Sequence, residues 1–199
     1  MALRLLTCWM LLGVLFGAPA LCAPVVADPH GLQPIEDMAK MPGVTTTVTW
    51  EDCGEPNAYY HNGKAVLCNE LVTAGVPDFV IQFYLAHELA HGIIDQLDIP
   101  ITGNEEFAAD ELAMLMLHMT GRDHVLVAAA RFYGKRGRPE APHDEHPGDL
   151  RRSFNAFSFM QKPCSYPPKF NEVCSDAYKR ASRNWARLII PHVEKHGGF

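Results

Sequence analysis

An amphipathic pattern begins after Pro77 and Asp78 and continues to about Leu97. Its apolar residues recur at intervals of three and four, as they do on the buried face of a helix. Pro77 and Asp78 are typical of a helix start, and Asp98-Ile99-Pro100 ends the pattern. The sequence therefore predicts a helix from about residue 78 to residue 97.

Three more helices are predicted after this one. Thr102, with Glu105 three residues later, resembles a capping box that opens a helix ending near Gly121. Another helix is predicted to follow Asp123, and Ser175 is expected to cap the last one. The predicted packing face of that last helix consists of Ala177, Tyr178, Ala181, Trp185 and Leu188.

The residues before the first helix predict a small sheet. The segment Val44 to Trp50 is rich in Thr and Val, as strands are. The segment Ala58 to Leu67 has Asn62-Gly63 at its centre, which is the strongest short signal for a hairpin. Pairing about that turn sets Tyr60 opposite Ala65. We therefore predict an α+β fold, with a short sheet and hairpin over the first helix and several helices after it.

The N-terminus has the pattern of a secretory signal peptide. Arg4 precedes an apolar run from Leu5 to Phe16, and small residues at Ala20 to Ala23 offer cleavage sites. The run is shorter than the roughly 20 residues of a membrane span, and no later stretch is long enough. We expect residues 1–23 to be removed and the mature protein to be secreted or periplasmic, without a transmembrane segment. Residues 24–199 are expected to form one domain, with Pro24 to Gly43 as a loosely held lead-in.

The net charge bears on which partners the protein binds, and the cysteines bear on whether it forms disulfides outside the cytoplasm. The chain has a net charge of −6, which makes nucleic acid an unsuitable partner. The basic residues between Gly134 and Pro139 are predicted to form a solvated loop and only weakly suggest an anionic partner. Four cysteines remain after removal of the leader, and an even number in an exported chain predicts disulfides. The local pairing joins Cys53 to Cys68 and Cys164 to Cys174.

The first helix contains the motif His87-Glu88-x-x-His91. One helical turn separates the two histidines, so both imidazoles can bind a single Zn²⁺. Glu88 lies beside that face, where its carboxylate can act as the general base toward a water activated by the metal. The alternative is that both histidines are ordinary helix-surface residues and Glu88 is a solvated charge.

A second group of acidic residues opens the next helix. Glu106 and Asp110 are four residues apart and share a face. The spacing predicts Glu106 as the third metal ligand, with Asp110 behind it accepting the outer ring N–H of a ligand histidine. Glu105 lies about 100° round the helix from Glu106 and is expected to be dispensable. In the alternative, Glu105 and Glu106 only favour the positive end of a helix dipole, and Asp110 is a surface acid.

Together these motifs resemble known metallopeptidases. The two motifs are similar to the gluzincin arrangement of thermolysin, and Glu106 to Asp110 is similar to the third-ligand motif of the CAAX proteases. A broader resemblance, from about Val44 to Pro191, is to a family of bacterial proteins described as putative metallopeptidases. It is carried by the two motifs and by Asn57-Ala58-Tyr59-Tyr60, Val66 to Leu71, Ile99 to Gly103 and Trp185. The resemblance implies a small zincin-like domain that holds zinc and cleaves peptides.

The segment His146-Pro147 followed by Arg152 is similar to a His-Pro…Arg segment of the CAAX-type proteases. By that likeness, His146 or Arg152 stabilises the oxyanion that forms when water attacks a peptide carbonyl. The alternative is a surface loop and helix start in which Arg152 pairs with an acid.

The sequence thus predicts an exported zinc-dependent metallopeptidase that acts on peptide or protein substrates. The alternative is a binding or structural protein that retains the zinc site but cleaves nothing. We further expect a substrate peptide to lie extended against the strand from Ala65 to Asn69, as an added strand of the sheet.

Overall fold

The computed structural model describes residues 28–139, 148–160 and 175–196. These residues form three strands and seven helices, which confirms the predicted α+β class. The elements are α1 (Gln33–Ala39), β1 (Thr47–Glu51), β2 (Ala58–His61), β3 (Lys64–Cys68), α2 (Glu70–Thr73), α3 (Asp78–Gln96), α4 (Glu105–Met119), α5 (Asp123–Arg136), α6 (Asp149–Met160) and α7 (Asp176–Lys195). The predicted leader, His146, Cys164 and Cys174 lie outside the described residues.

The sheet has the strand order β1-β3-β2. Strands β2 and β3 form the predicted antiparallel hairpin, with Tyr60 opposite Ala65. Asn62 and Gly63 both have positive φ, at 49° and 78°, which is what a type I′ turn requires. Strand β1 then pairs parallel to the other side of β3.

This topology makes β3 the central strand, so the prediction that a peptide adds to Ala65–Asn69 is wrong. Both edges of β3 are already paired, by β1 and by β2. The sequence already indicates a central strand, because Ala65 to Cys68 are four apolar residues in a row. All four are buried, as expected of a strand covered on both faces. Among the described strands, the outer edges belong to β1 and β2.

The predicted disulfide between Cys53 and Cys68 is present and closes one end of the hairpin. The Glu70 carboxylate, at the start of α2, accepts hydrogen bonds from the backbone N–H groups of Cys53 and Gly54. These contacts fix the loop that enters β2.

Helix α3 lies at the centre of the core, where Leu85, Leu89 and Ile93 are fully or almost fully buried. Gly92 allows the sheet to approach this helix closely, because a Cβ atom there would lie 3.0 Å from the Tyr60 ring. The helix begins at Asp78, as predicted. None of the described helices is both long enough and apolar enough to cross a membrane.

Helix α4 starts differently from the prediction. Its N-cap is Asn104, whose side-chain oxygen accepts hydrogen bonds from the N–H groups of Glu106 and Phe107. Thr102 therefore does not form the predicted capping box. Asparagine is as good an N-cap as serine or threonine, and this start places Glu105 and Glu106 in the first turn, facing α3.

The two ends of the described chain pack onto the core. The expected loose lead-in is wrong in part, because α1 buries Ile35 and Ala39 completely or nearly so. Ser175 caps α7 as predicted, by accepting a hydrogen bond from the Tyr178 N–H. Trp185 is buried on the packing face of that helix.

Candidate metal centre

Two histidines on α3 form the first part of the site. His87 and His91 are one helical turn apart, and their Nε2 atoms are separated by 3.2 Å. His87 is fully buried, and the side chain of His91 is mostly buried. The packing of α3 in the core therefore holds both imidazoles on one side of the helix.

Glu106 completes a set of three donors from the first turn of α4. Its Oε2 lies 3.0 Å from Nε2 of His87, and its Oε1 lies 3.2 Å from Nε2 of His91. Ligands of a tetrahedral zinc ion, with bonds of about 2.0–2.1 Å, are separated by about 3.3 Å. The two contacts use different oxygens of Glu106, and the three side chains lie close enough together to hold one metal ion. Two imidazoles with one carboxylate form a known catalytic zinc set.

The outer nitrogen of each imidazole meets its own carboxylate. Nδ1 of His87 lies 2.9 Å from Oδ1 of Asp110, and Nδ1 of His91 lies 2.7 Å from Oε1 of Glu105. A carboxylate can only accept at these positions, so Nδ1 donates, and Nε2, which faces Glu106, is the nitrogen that can bind a metal once it has lost its proton. Glu105, which spacing on α4 set apart from the ligand face, therefore contacts a ligand histidine, and its dispensability stays a prediction.

Arg152 anchors Asp110 from behind. Its Nε and Nη2 donate to the carboxylate at 2.9 and 2.6 Å, and both side chains are buried. Burial alone would raise the pKa of the Asp110 carboxyl, but the charge of Arg152 and the hydrogen bond from His87 hold that pKa well below its usual range. Arg152 Nη2 also lies 3.2 Å from Nδ1 of His87, which is a contact between two donors when Nδ1 carries the proton.

The same acids control the protonation of the histidines. Burial opposes a charge on His87, but its hydrogen bonds to Asp110 and Glu106 outweigh that effect and raise its pKa to about 9. The pKa of His91 is also raised, because its hydrogen bonds to Glu106 and Glu105 exceed the cost of burial. A metal ion would therefore replace a proton at this site.

Glu88 is buried beside the histidines and lines a cavity of about 120 Å³. Ala58 at the start of β2 contributes to the wall. The other lining residues are Pro56, Asn57, Tyr84, His87, Arg136, Arg138 and Arg152. A larger cavity of about 370 Å³ lies between α4, α6 and α7, but none of the proposed ligands lines it. The smaller cavity is the one that can bring a substrate to Glu88.

Arg136 and Asp149 are site neighbours that sequence reasoning did not single out. Arg136 ends helix α5 instead of belonging to a solvated loop, and it donates two hydrogen bonds to the buried Asp149 carboxylate. The cluster of basic residues before Pro139 was the only signal in the sequence. His146, which was predicted to lie at the site, falls outside the described residues.

The chain matches one protein-family profile over residues 76–189, and the family is described as "Putative metallopeptidase". The matched segment contains α3 and α4, with the three candidate metal ligands and Glu88, and also Arg152. No curated protein and no solved structure matches the chain. Because the match covers more than half of its length, the chain belongs to this metallopeptidase family.

Proposed function

We propose that the protein is an exported, zinc-dependent metallopeptidase. The observation that carries this proposal is the convergence of three donors, at separations of 3.0–3.2 Å, beside a buried glutamate that opens onto a cavity. The export part rests on the signal-peptide pattern of residues 1–23 and on the disulfide between Cys53 and Cys68.

In this proposal His87, His91 and Glu106 hold the metal. When bound, zinc supplies a Lewis acid that polarises a carbonyl and makes water more acidic. Glu88 takes the proton from the attacking water and passes it to the leaving amine. Its burial, on the wall of a cavity that His87 also lines, supports this role.

Asp110 and Glu105 have positioning roles in the same proposal. Each accepts the Nδ1 proton of one histidine and so directs the Nε2 lone pair toward the metal. Arg152 fixes Asp110, and its guanidinium also lines the cavity of Glu88, where it can reach a developing oxyanion. For His146 the same oxyanion role rests on the sequence resemblance alone.

The substrate is proposed to bind along β2 instead of β3. Strand β2 is at the edge of the described sheet, and its first residue, Ala58, lines the cavity of Glu88. An extended peptide on that edge would gain main-chain hydrogen bonds, which give affinity without strict sequence preference.

Digestion of unfolded casein by purified residues 24–199 tests the proposal. We expect the protein to carry one zinc ion, to release peptides, to lose activity in a chelator and to regain it when zinc is restored. Zinc binding without any release of peptides would contradict the proposal and would favour a binding protein that retains the zincin fold.

A further inference from the structure

One wall of the cavity beside Glu88 belongs to the loop between β1 and β2. The loop consists of residues 52–57, and its Pro56 and Asn57 line the cavity together with Ala58, the first residue of β2. Ala58 also begins the strand edge along which the substrate is proposed to bind. The position of this loop therefore affects both the cavity and that edge.

The loop is fastened to the end of β3 at both of its own ends. At its C-terminal end, the backbone N–H of Cys68 donates a hydrogen bond of 3.0 Å to the carbonyl oxygen of Asn57. At its N-terminal end, the Asn69 side chain donates to the Asp52 carboxylate at 2.7 Å. The disulfide joins Cys53 to Cys68 at the same place. The loop thus has one covalent anchor and several hydrogen bonds.

The polar contacts inside the loop are confined to its first half. The Glu70 carboxylate accepts hydrogen bonds from the N–H groups of Cys53, at 3.2 Å, and Gly54, at 2.6 Å. Glu70 is partly exposed, so water competes for these bonds and each contributes little. Glu55 and Pro56 make no hydrogen bond to any residue that the structure describes. The anchors at the two ends therefore set the position of Pro56, and water cannot replace the disulfide among them.

The two sulfurs differ in their access to solvent. Cys68 is fully buried, whereas Cys53 is partly exposed. When both are thiols, the Cys53 thiolate can attack a disulfide of the export compartment, which forms a mixed disulfide and releases one thiol of the oxidant. The Cys68 thiolate then attacks Sγ of Cys53, closes the protein disulfide and releases the second thiol. Two electrons and two protons pass to the oxidant in this exchange.

We propose that formation of the disulfide between Cys53 and Cys68 controls the cavity wall and, with it, the binding of the peptide substrate. In the oxidised protein the bond fixes the loop before a peptide arrives. In the reduced protein the loop is held by hydrogen bonds alone, and a peptide must order it on binding, which weakens affinity.

This control acts on substrate binding and not on the metal. The three candidate metal ligands lie on α3 and α4, outside the loop, so both forms bind zinc equally. The protein reaches full affinity for peptides only after oxidation, which couples its activity to export. The proposal rests on the proposed peptidase function and adds its regulation.

Three zinc-loaded proteins test the proposal, namely wild-type residues 24–199, the double variant Cys53→Ser with Cys68→Ala, and Val193→Ala. A double variant is used because thiol reductants bind zinc and open every disulfide. Val193 is buried on α7, so its truncation lowers stability without freeing the loop. Circular dichroism confirms that each protein is folded, and each is analysed for zinc.

Hydrogen–deuterium exchange measures the loop directly. We expect the amides of residues 53–58 to exchange at least about tenfold faster in the double variant than in the wild type, because the covalent anchor is gone. The Val193→Ala variant should exchange these amides at the wild-type rate. Equal exchange in the wild type and the double variant would overturn the proposal, whether or not the protein cleaves peptides.

Casein digestion measures the consequence for binding. We expect the KM of the double variant to rise by at least about tenfold, the effect of ordering about one further residue on binding. Its kcat and zinc content should stay close to those of the wild type, and Val193→Ala should keep the wild-type KM.

The two measurements separate this proposal from the proposed function. An unchanged KM in a zinc-loaded double variant would overturn the control by the disulfide and leave the peptidase in place. Faster exchange of the loop in the double variant, without any cleavage by the wild type, would support the control of the cavity wall and remove the peptidase.

Discussion

The Asp110 carboxylate accepts a hydrogen bond from Nδ1 of His87 at 2.9 Å, inside the core and away from the solvent. Arg152 donates two hydrogen bonds to the same carboxylate, so the acid stays ionised. The imidazole of His87, a proposed metal ligand, is thus oriented by a buried chain that runs from α6 through α4 to α3. Removal of any member of this chain should weaken metal binding.

Asp110→Asn should weaken zinc binding by about 10–100-fold, as the loss of a partner behind a metal ligand usually does. Glu105→Gln should have a smaller effect, because the Glu105 side chain is 52% exposed and water can replace it, whereas Asp110 is 3% exposed. Competition with a chromogenic zinc chelator measures both affinities. An equal or larger loss of zinc affinity in the Glu105 variant would contradict the prediction that the more buried acid matters more.

Arg152→Met should lower the free energy of unfolding of the metal-free protein by about 3–5 kcal/mol, because it leaves the Asp110 charge buried without its partner. Urea unfolding measures the change, and Arg183→Met on the exposed face of α7 serves as the matched surface control. The control should change stability by no more than about 0.5 kcal/mol. A similar small effect for both variants would show that the buried pair contributes no stability.

Zinc affinity should depend on pH, because His87 has a pKa of about 9 when no metal is bound. Below that pH the metal must displace the proton, so the apparent affinity falls by about tenfold for each unit of pH. The dependence should steepen further where His91, whose pKa is also raised, holds its proton. Calorimetric titrations in buffers of different ionisation enthalpy count the released protons. Constant affinity from pH 7 to 9 would contradict the raised pKa of His87.

The pair of substitutions Cys53→Ser and Cys68→Ala should destabilise the protein by about 3 kcal/mol, as expected for a bond that closes a short loop. The bond spans a sequence separation of 15 residues. When both proteins are unfolded in urea under a reducing phosphine, which opens every disulfide, their stabilities should be equal. Non-reducing digestion with mass spectrometry would in addition test the predicted bond between Cys164 and Cys174. Unchanged stability in the double variant would contradict the expected contribution of the bond.

Local patterns in the sequence predicted the hairpin and the helices α3, α4, α5 and α7, but not the short helices α1 and α2. The start of α3 at Asp78 and the turn at Asn62-Gly63 follow from residues close in the chain, whose backbone preferences act directly. The parallel pairing of β1 with β3 could not be predicted in this way, because it depends on packing across the whole domain.

The candidate site shows the same division. Because His87 and His91 are one helical turn apart, the sequence predicted that they lie side by side. In the structure they do, and Glu106 contacts both of them. The contact of Glu105 with His91 was missed, because the spacing on α4 alone does not give the angle at which α4 meets α3. The bond between Arg136 and Asp149 was missed for the same reason, since it depends on how α5 packs against α6.

Glu88→Gln tests the central claim most directly, because it removes the proposed base and leaves His87, His91 and Glu106 in place. The measurement is casein hydrolysis by wild type and variant, each analysed for zinc in the same preparation. The account predicts one zinc per chain in both proteins, with turnover in the wild type and a loss of at least about 100-fold in the variant. Equal turnover by both zinc-loaded proteins would contradict it.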